Sequence, residues 1–195
     1  MENIFLKFKS QLLQHISEES LIKLEKLWTS NDRYYHNIKH LERIISFIQF
    51  QISFKELSLV EKHTLLLAAF FHDAIYDPKR KDNEDQSIKF FKESYIGKDG
   101  IMVEKVSDLI EVTKHRKRPI KRLERLIWNA DNAGFKDGFE QLKKTDSLIQ
   151  KEYKHLSKIA YKDGRIKFLE SNIGLFDSKV DRDLLKLIEY YKNKF

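Results

Sequence analysis

Apolar residues recur at three- and four-residue spacing along almost the whole chain, and little interrupts them. Only 6 glycines and 2 prolines occur in 195 residues. Sandwiches and barrels need many turns; amphipathic helices need few. Ile4, Phe5, Phe8, Leu12 and Ile16 form one stripe, and Leu21, Leu24, Leu27 and Trp28 a second that breaks at Thr29-Ser30-Asn31-Asp32. Leu41, Ile44, Ile45 and Ile48 make a third. Ser58 with Glu61 three residues on reads as a capping box. It opens an apolar helix through Leu65, Leu66, Ala69 and Phe70 to His72, with Asp77-Pro78 as its stop or the loop after it. Asp82 or Asn83 signals a start for a helix over 86–94. Val103, Val106, Leu109, Ile110 and Thr113 mark the next, and Pro119 separates it from one carrying Leu123, Leu126, Ile127 and Ala130. Residues 139–160 read as one long or kinked helix, with a break at Gly164 and short helices near 166–169 and 184–191. The expectation is an all-α bundle of about eight to ten helices, folded as a single domain over 1–195.

Composition narrows the chemistry. No cysteine occurs, which excludes thiol catalysis, zinc ribbons and iron–sulfur clusters. An apolar fraction of 41% against 34% charged residues suits a globular chain rather than a disordered one. No apolar run approaches the roughly 18 residues needed to span a bilayer. Lys7 and Lys9 interrupt the apolar residues of the N-terminus, so no signal peptide, no membrane partner and a cytoplasmic location are expected. The net charge is +7, and it is local. Lys114, Arg116, Lys117, Arg118, Lys121, Arg122 and Arg125 face one acid, Glu124, so that residues 114–125 carry +6 of it. Such a segment suits an anionic substrate or partner, or is a solvated helix face.

Three places combine histidine and carboxylate in a way a core does not require. In Tyr35-His36-Asn37-Ile38-Lys39-His40, the two histidines are four apart and would share one face of a helix. In Phe70-Phe71-His72-Asp73, an imidazole and a carboxylate end a strongly apolar helix. In Ala130-Asp131-Asn132, an acid follows the apolar Leu126-Ile127-Trp128, where a cation would offset its burial. Together they can supply nitrogen and oxygen ligands to a divalent metal of the Mn, Fe, Co, Ni or Zn type rather than Ca. A site with open positions can activate water and polarise a phosphoryl oxygen.

These stretches resemble the HD superfamily of metal-dependent phosphohydrolases, and within it a small bacterial group described as predicted HD phosphohydrolases of unknown substrate. The matching residues are Arg33-Tyr34-Tyr35-His36-Asn37 with His40, then Phe71-His72-Asp73-Ala74-Ile75-Tyr76-Asp77-Pro78, then Asp82-Asn83-Glu84 with Ser87. Thr113-Lys114-His115 and Ala130-Asp131 continue the match, and Tyr161 with Gly164-Arg165 follows it more loosely, so that it covers about 33–172. The resemblance implies an HD-type all-α domain with a divalent metal, Mg included, held by His40, His72, Asp73 and Asp131. The Tyr-His-Asn-x-x-His string is similar to that of cyclic-nucleotide phosphodiesterases, which implies that His36 is the general acid for the leaving oxygen; a helix-start residue bonded to backbone is the other reading. The family often has an acid where Asn129 stands, so the metal affinity or count depends on whether the first or the second residue of that pair is the ligand. Alarmone hydrolases carry acids that position the attacking water in a place similar to Glu84, which is otherwise a first-turn helix acid. Asp73 would orient or bridge, and Asn37, Lys114, His115, Arg116, Lys117 and Arg118 would contact substrate. His115 could instead bind a second metal or lie on the surface.

The function expected is hydrolysis of a phosphate ester or anhydride of a small molecule, a nucleotide or nucleotide derivative. Two alternatives stand beside it. One is a metal-dependent nucleotide sensor without turnover. The other is a nucleic-acid-binding protein or nuclease using 114–125, a segment without the interleaved aromatics that single-strand binding favours.

Overall fold

The computed structural model describes residues 3–51 and 56–194. It is 71% helical, with ten α-helices and no strand among the described residues, so the all-α expectation holds. The sequence reads as one domain; the chain groups into two compact units, residues 1–130 and 131–195.

The first unit starts with α1 (Ile4–Leu12), which buries Ile4, Phe5, Phe8 and Leu12 and is capped by the Asn3 side chain on the Phe5 N–H. Helix α2 (Glu18–Trp28) starts at Ser17, whose hydroxyl accepts from the Ser20 N–H, and has Glu18 and Glu19 in its first turn, where the helix dipole favours acids. Helix α3 (Ile38–Phe50) buries His40, Leu41, Ile44, Ile45 and Ile48. Helix α4 (Leu59–Phe71) opens with the expected capping box, Ser58 and Glu61 each bonding the other's backbone N–H. Its buried residues include the unbroken run from Leu67 to Phe71, so it is apolar nearly all round, as a central helix must be. Helices α5 (Asn83–Ser94) and α6 (Gly100–Val112) pack on it and on each other, and α3 packs on α4 as well. Helix α7 (Arg122–Asp131) ends this unit, with Leu126, Ile127, Trp128 and Ala130 buried. Two links close α1 onto its neighbours. The His15 carbonyl accepts from the Ile96 N–H at 2.9 Å, and His15 Nε2 meets His63 Nδ1 of α4 at 2.8 Å.

The second unit has a 3₁₀ turn (Asn132–Asp137), α8 (Phe139–Glu152), α9 (Lys158–Asn172) and α10 (Ser178–Lys194). The long helix expected over 139–160 is therefore two. Ser157 is the reason: its hydroxyl caps the Ala160 N–H at 3.1 Å and starts a new helix. Gly164 does not break α9 but lies within it, and the short helix expected near 184–191 is the middle of a 17-residue helix.

Candidate metal centre

The site is built on the end of α4. The last four carbonyls of a helix have no intrahelical N–H donor and need donors from elsewhere. Here each finds one. Ala68 C=O accepts from the His72 N–H at 2.9 Å and Phe71 C=O from the Ala74 N–H at 3.1 Å. Ala69 C=O takes the His72 ring Nδ1 at 2.9 Å, and Phe70 C=O takes the Trp28 indole N–H at 2.8 Å. The His-Asp pair is thus not an ornament on the helix end but part of its termination. With Nδ1 bound to a carbonyl, that nitrogen carries the proton, and Nε2 is the basic atom.

His72 Nε2 lies 3.1 Å from Asp73 Oδ2. His40 Nε2, from the first turn of α3, lies 3.8 Å from the same oxygen. Ligand atoms of His40, His72 and Asp73 all fall within 4.8 Å of one another. Two ligands bound at about 2.1 Å to one transition metal stand about 3 Å apart at a right angle and about 3.8 Å apart at 130°. The two separations to Asp73 Oδ2 have that size. Two imidazoles and one carboxylate are also a donor set suited to Mn, Fe, Co, Ni or Zn. His40 and His72 are both buried, so each ring is held in place by packing. Trp28 supplies part of that packing, with ring centroids 5.6 Å from His72 and 6.5 Å from His40.

His36 does not share a helix face with His40, as the spacing suggested. Asn37 is the N-cap of α3, and His36 lies before it. Its ring nevertheless stands edge-on to His40, with centroids 5.7 Å apart, and stacks on Tyr76 at 4.1 Å. Asn37 holds the turn before α3. Its Oδ1 accepts from the Lys39 N–H at 3.0 Å, and its amide N–H donates to the carbonyls of Arg33 and Tyr34 at 3.2 and 2.9 Å.

The loop after His-Asp is pinned to α5. Ser87 Oγ accepts from the Ile75 N–H at 3.1 Å and sits 3.3 Å from the Ile75 carbonyl. Asn83 bonds both backbone groups of Asp77, at 3.0 and 2.9 Å. Two of the motif residues, Asn83 and Ser87, are therefore spacers that fix the loop. Glu84, between them, is half-buried, and its carboxyl stands above the usual range. Burial is the main cause; the charge of Asp73 raises it further, while its own backbone N–H, Lys114 and His115 pull it down. Those couplings place Glu84 in the electrostatic neighbourhood of both the His-Asp pair and the start of the basic segment.

That segment is less cationic in space than in sequence. Lys114 Nζ is 2.7 Å from Asp85 and also pairs with Glu111. Burial depresses the Lys114 ammonium, but these two bonds outweigh it and hold its pKa above the ordinary value. Arg116 lies 3.6 Å from Glu111, Lys121 2.9 Å from Glu124 and Arg122 3.3 Å from Glu56. Lys117 and Arg118 are exposed. His115 takes a left-handed backbone (φ 54°), unusual for a residue with a side chain, in the turn after α6. Its ring stands edge-on to Trp128, centroids 6.4 Å apart.

Asp131 is the last residue of α7 and the first of the second unit; the three-residue group lies wholly in the first unit. Tyr161 and Arg165, one turn apart on α9, both bind Asp146, which assigns that looser stretch of the resemblance to internal packing. Sequence reasoning placed Trp28 only in an apolar stripe and Arg33 only in the matching stretch, with no part in the site, although Arg33 is buried and donates to three backbone carbonyls around it. Comparison with protein-family models, with curated proteins and with solved structures gives no match.

Proposed function

We propose that the chain is a metal-dependent phosphohydrolase of the HD type, acting on a phosphate ester or anhydride of a small molecule, with a nucleotide or nucleotide derivative as the substrate class. The observation that carries this reading is the convergence of His40, His72 and Asp73, with His72 fixed in the tautomer that leaves Nε2 as a ligand atom. The resemblance adds Asp131 to that set. A divalent ion bound there supplies Lewis acidity toward a phosphoryl oxygen and a more acidic water. His36, beside His40, gives a proton to the departing oxygen. Glu84, with its raised pKa, orients the attacking water and takes its proton. Exposed Lys117 and Arg118 meet further negative charge on the substrate.

The test is a phosphate-release screen over nucleotides with chelated protein, repeated with Mn, Mg, Fe, Co, Ni and Zn. Turnover should require an added ion and vanish in His40→Ala and His72→Ala, which should also hold no metal. Turnover indifferent to chelation, or full metal content in both variants, defeats the reading. Metal binding with no turnover of any substrate supports the sensor alternative instead.

A further inference from the structure

We infer that Arg33 is the positioning residue of this centre, keeping the His-Asp turn, His36 and His40 in register; the inference rests on the metal reading above. Arg33 is 8% exposed, so its charge is taken out of water and must be offset locally. Nη1 donates to the Asp73 carbonyl at 2.7 Å and to the His36 carbonyl at 3.3 Å. Nη2 donates to the Ala74 carbonyl at 2.7 Å. One planar group therefore joins the two histidine motifs, across the 40 positions that separate Arg33 from Asp73. Its faces are used as well. Cζ lies 5.5 Å from the Trp28 ring and 5.7 Å from the Tyr76 ring. Trp28 in turn packs on His40 and His72, and Tyr76 stacks on His36. Each of His36, His40, His72 and Asp73 is thus one neighbour away from the guanidinium, or bonded to it through its own backbone.

The geometry says how it acts. Fixing the Asp73 carbonyl fixes the Asp73 Cα–Cβ bond, and so holds the carboxylate at 3.1 and 3.8 Å from the two Nε2 atoms. Fixing the His36 carbonyl does the same for the ring on Tyr76. Only a rigid fork of donors can serve two consecutive carbonyls and a third on another segment at once. A lysine ammonium keeps the charge but not the fork. Arg33 reaches the centre through backbone rather than through substrate, so its loss should weaken metal binding and leave the Michaelis constant nearly unchanged.

The experiment measures Mn²⁺ and Zn²⁺ affinity on chelated full-length protein for the wild type, Arg33→Lys, Arg33→Gln and the no-site control His72→Ala, with circular dichroism on each. Groups that orient metal ligands are worth about 10- to 100-fold in affinity, and a loss of that size is expected for Arg33→Lys with helicity retained. Should Arg33→Gln fail to fold, the lysine variant carries the test. A folded Arg33→Lys that binds both ions as the wild type does, even with a lowered melting temperature, makes Arg33 a purely structural residue and overturns the inference alone. Failure of the wild type to bind either ion overturns the metal reading, and the inference with it.

Discussion

Each unit sets an aspartate among close polar partners, Asp146 buried in the second and Asp73 partly exposed in the first, and the two are answered in different ways. In the second unit, the Asp146 carboxylate is bound by the Arg165 guanidinium and the Tyr191 hydroxyl, and the Tyr161 hydroxyl donates to the Asp146 carbonyl at 3.3 Å. A permanent cation and a hydroxyl donor satisfy it. Burial, with the nearby Asp146 charge second, pushes the Tyr161 phenol well above its ordinary pKa, so it stays a donor. In the first unit, Asp73 Oδ2 is faced by two imidazole Nε2 atoms. An imidazole can be donor, cation or ligand, so the same residue type is left open to chemistry. Burial of a carboxylate says little about function; the adaptability of its partners says more.

Exchanging the two lesions should expose the difference most strongly. Asp73→Asn should abolish metal binding and turnover while leaving the thermal melt nearly in place. Asp146→Ala removes the acid that the partly buried Arg165 and the Tyr191 hydroxyl bind; breaking a buried pair costs up to about 3–5 kcal/mol, so the variant should lower the melting temperature with metal affinity per folded molecule intact. If Asp146→Ala removes the metal, or Asp73→Asn unfolds the chain, the contrast collapses. Next in size, His36→Ala should slow turnover about 10²- to 10⁴-fold at unchanged metal content. A substrate with a better leaving group should recover part of the loss. Metal loss in that variant would move His36 into the ligand set.

The smallest expected effect concerns the cations. Lys117→Ala with Arg118→Ala removes exposed charges worth about 0.2–1 kcal/mol each, so the Michaelis constant for a multiply charged substrate should rise a few-fold. Lys114→Ala, by contrast, breaks its contacts with Asp85 and Glu111, and its effect should appear in stability. Equal kinetic effects from both would return all of 114–118 to the substrate.

The helices were legible because periodicity records which face is buried, and Ser58 with Glu61 gave a start to the residue. What periodicity cannot report is where a polar side chain is spent. Asn37 reads as a motif residue and caps α3; Asn83 and Ser87 read as motif and pin the loop. Ser157, which divides 139–160, carries the same capping chemistry as Ser58 but lies in a stretch whose apolar residues continue on both sides. The convergence of His40 with His72-Asp73 followed from the resemblance, not from spacing. Arg33 was silent because its three acceptors are backbone carbonyls, and no sequence pattern marks those.

The link between His15 and His63 has a consequence for motion. Two imidazoles 2.8 Å apart share a hydrogen bond only while at least one is neutral. Both titrate below the ordinary histidine value, His15 through burial and then the charge of His63, His63 through burial. The folded pair therefore resists protons that the unfolded chain accepts. Its contribution is complete above about pH 6.5 and drains away as the pH falls through the lowered folded values. The segment it fastens, between α1 and α2, should then open ahead of the α4 core. Amide exchange read residue by residue would show this at Ile96, whose N–H bonds the His15 carbonyl. Protection there should fall on mild acidification while that of Leu67 holds. A His63→Gln variant should lose this dependence, and equal acid sensitivity with and without His63 would mean the latch is elsewhere.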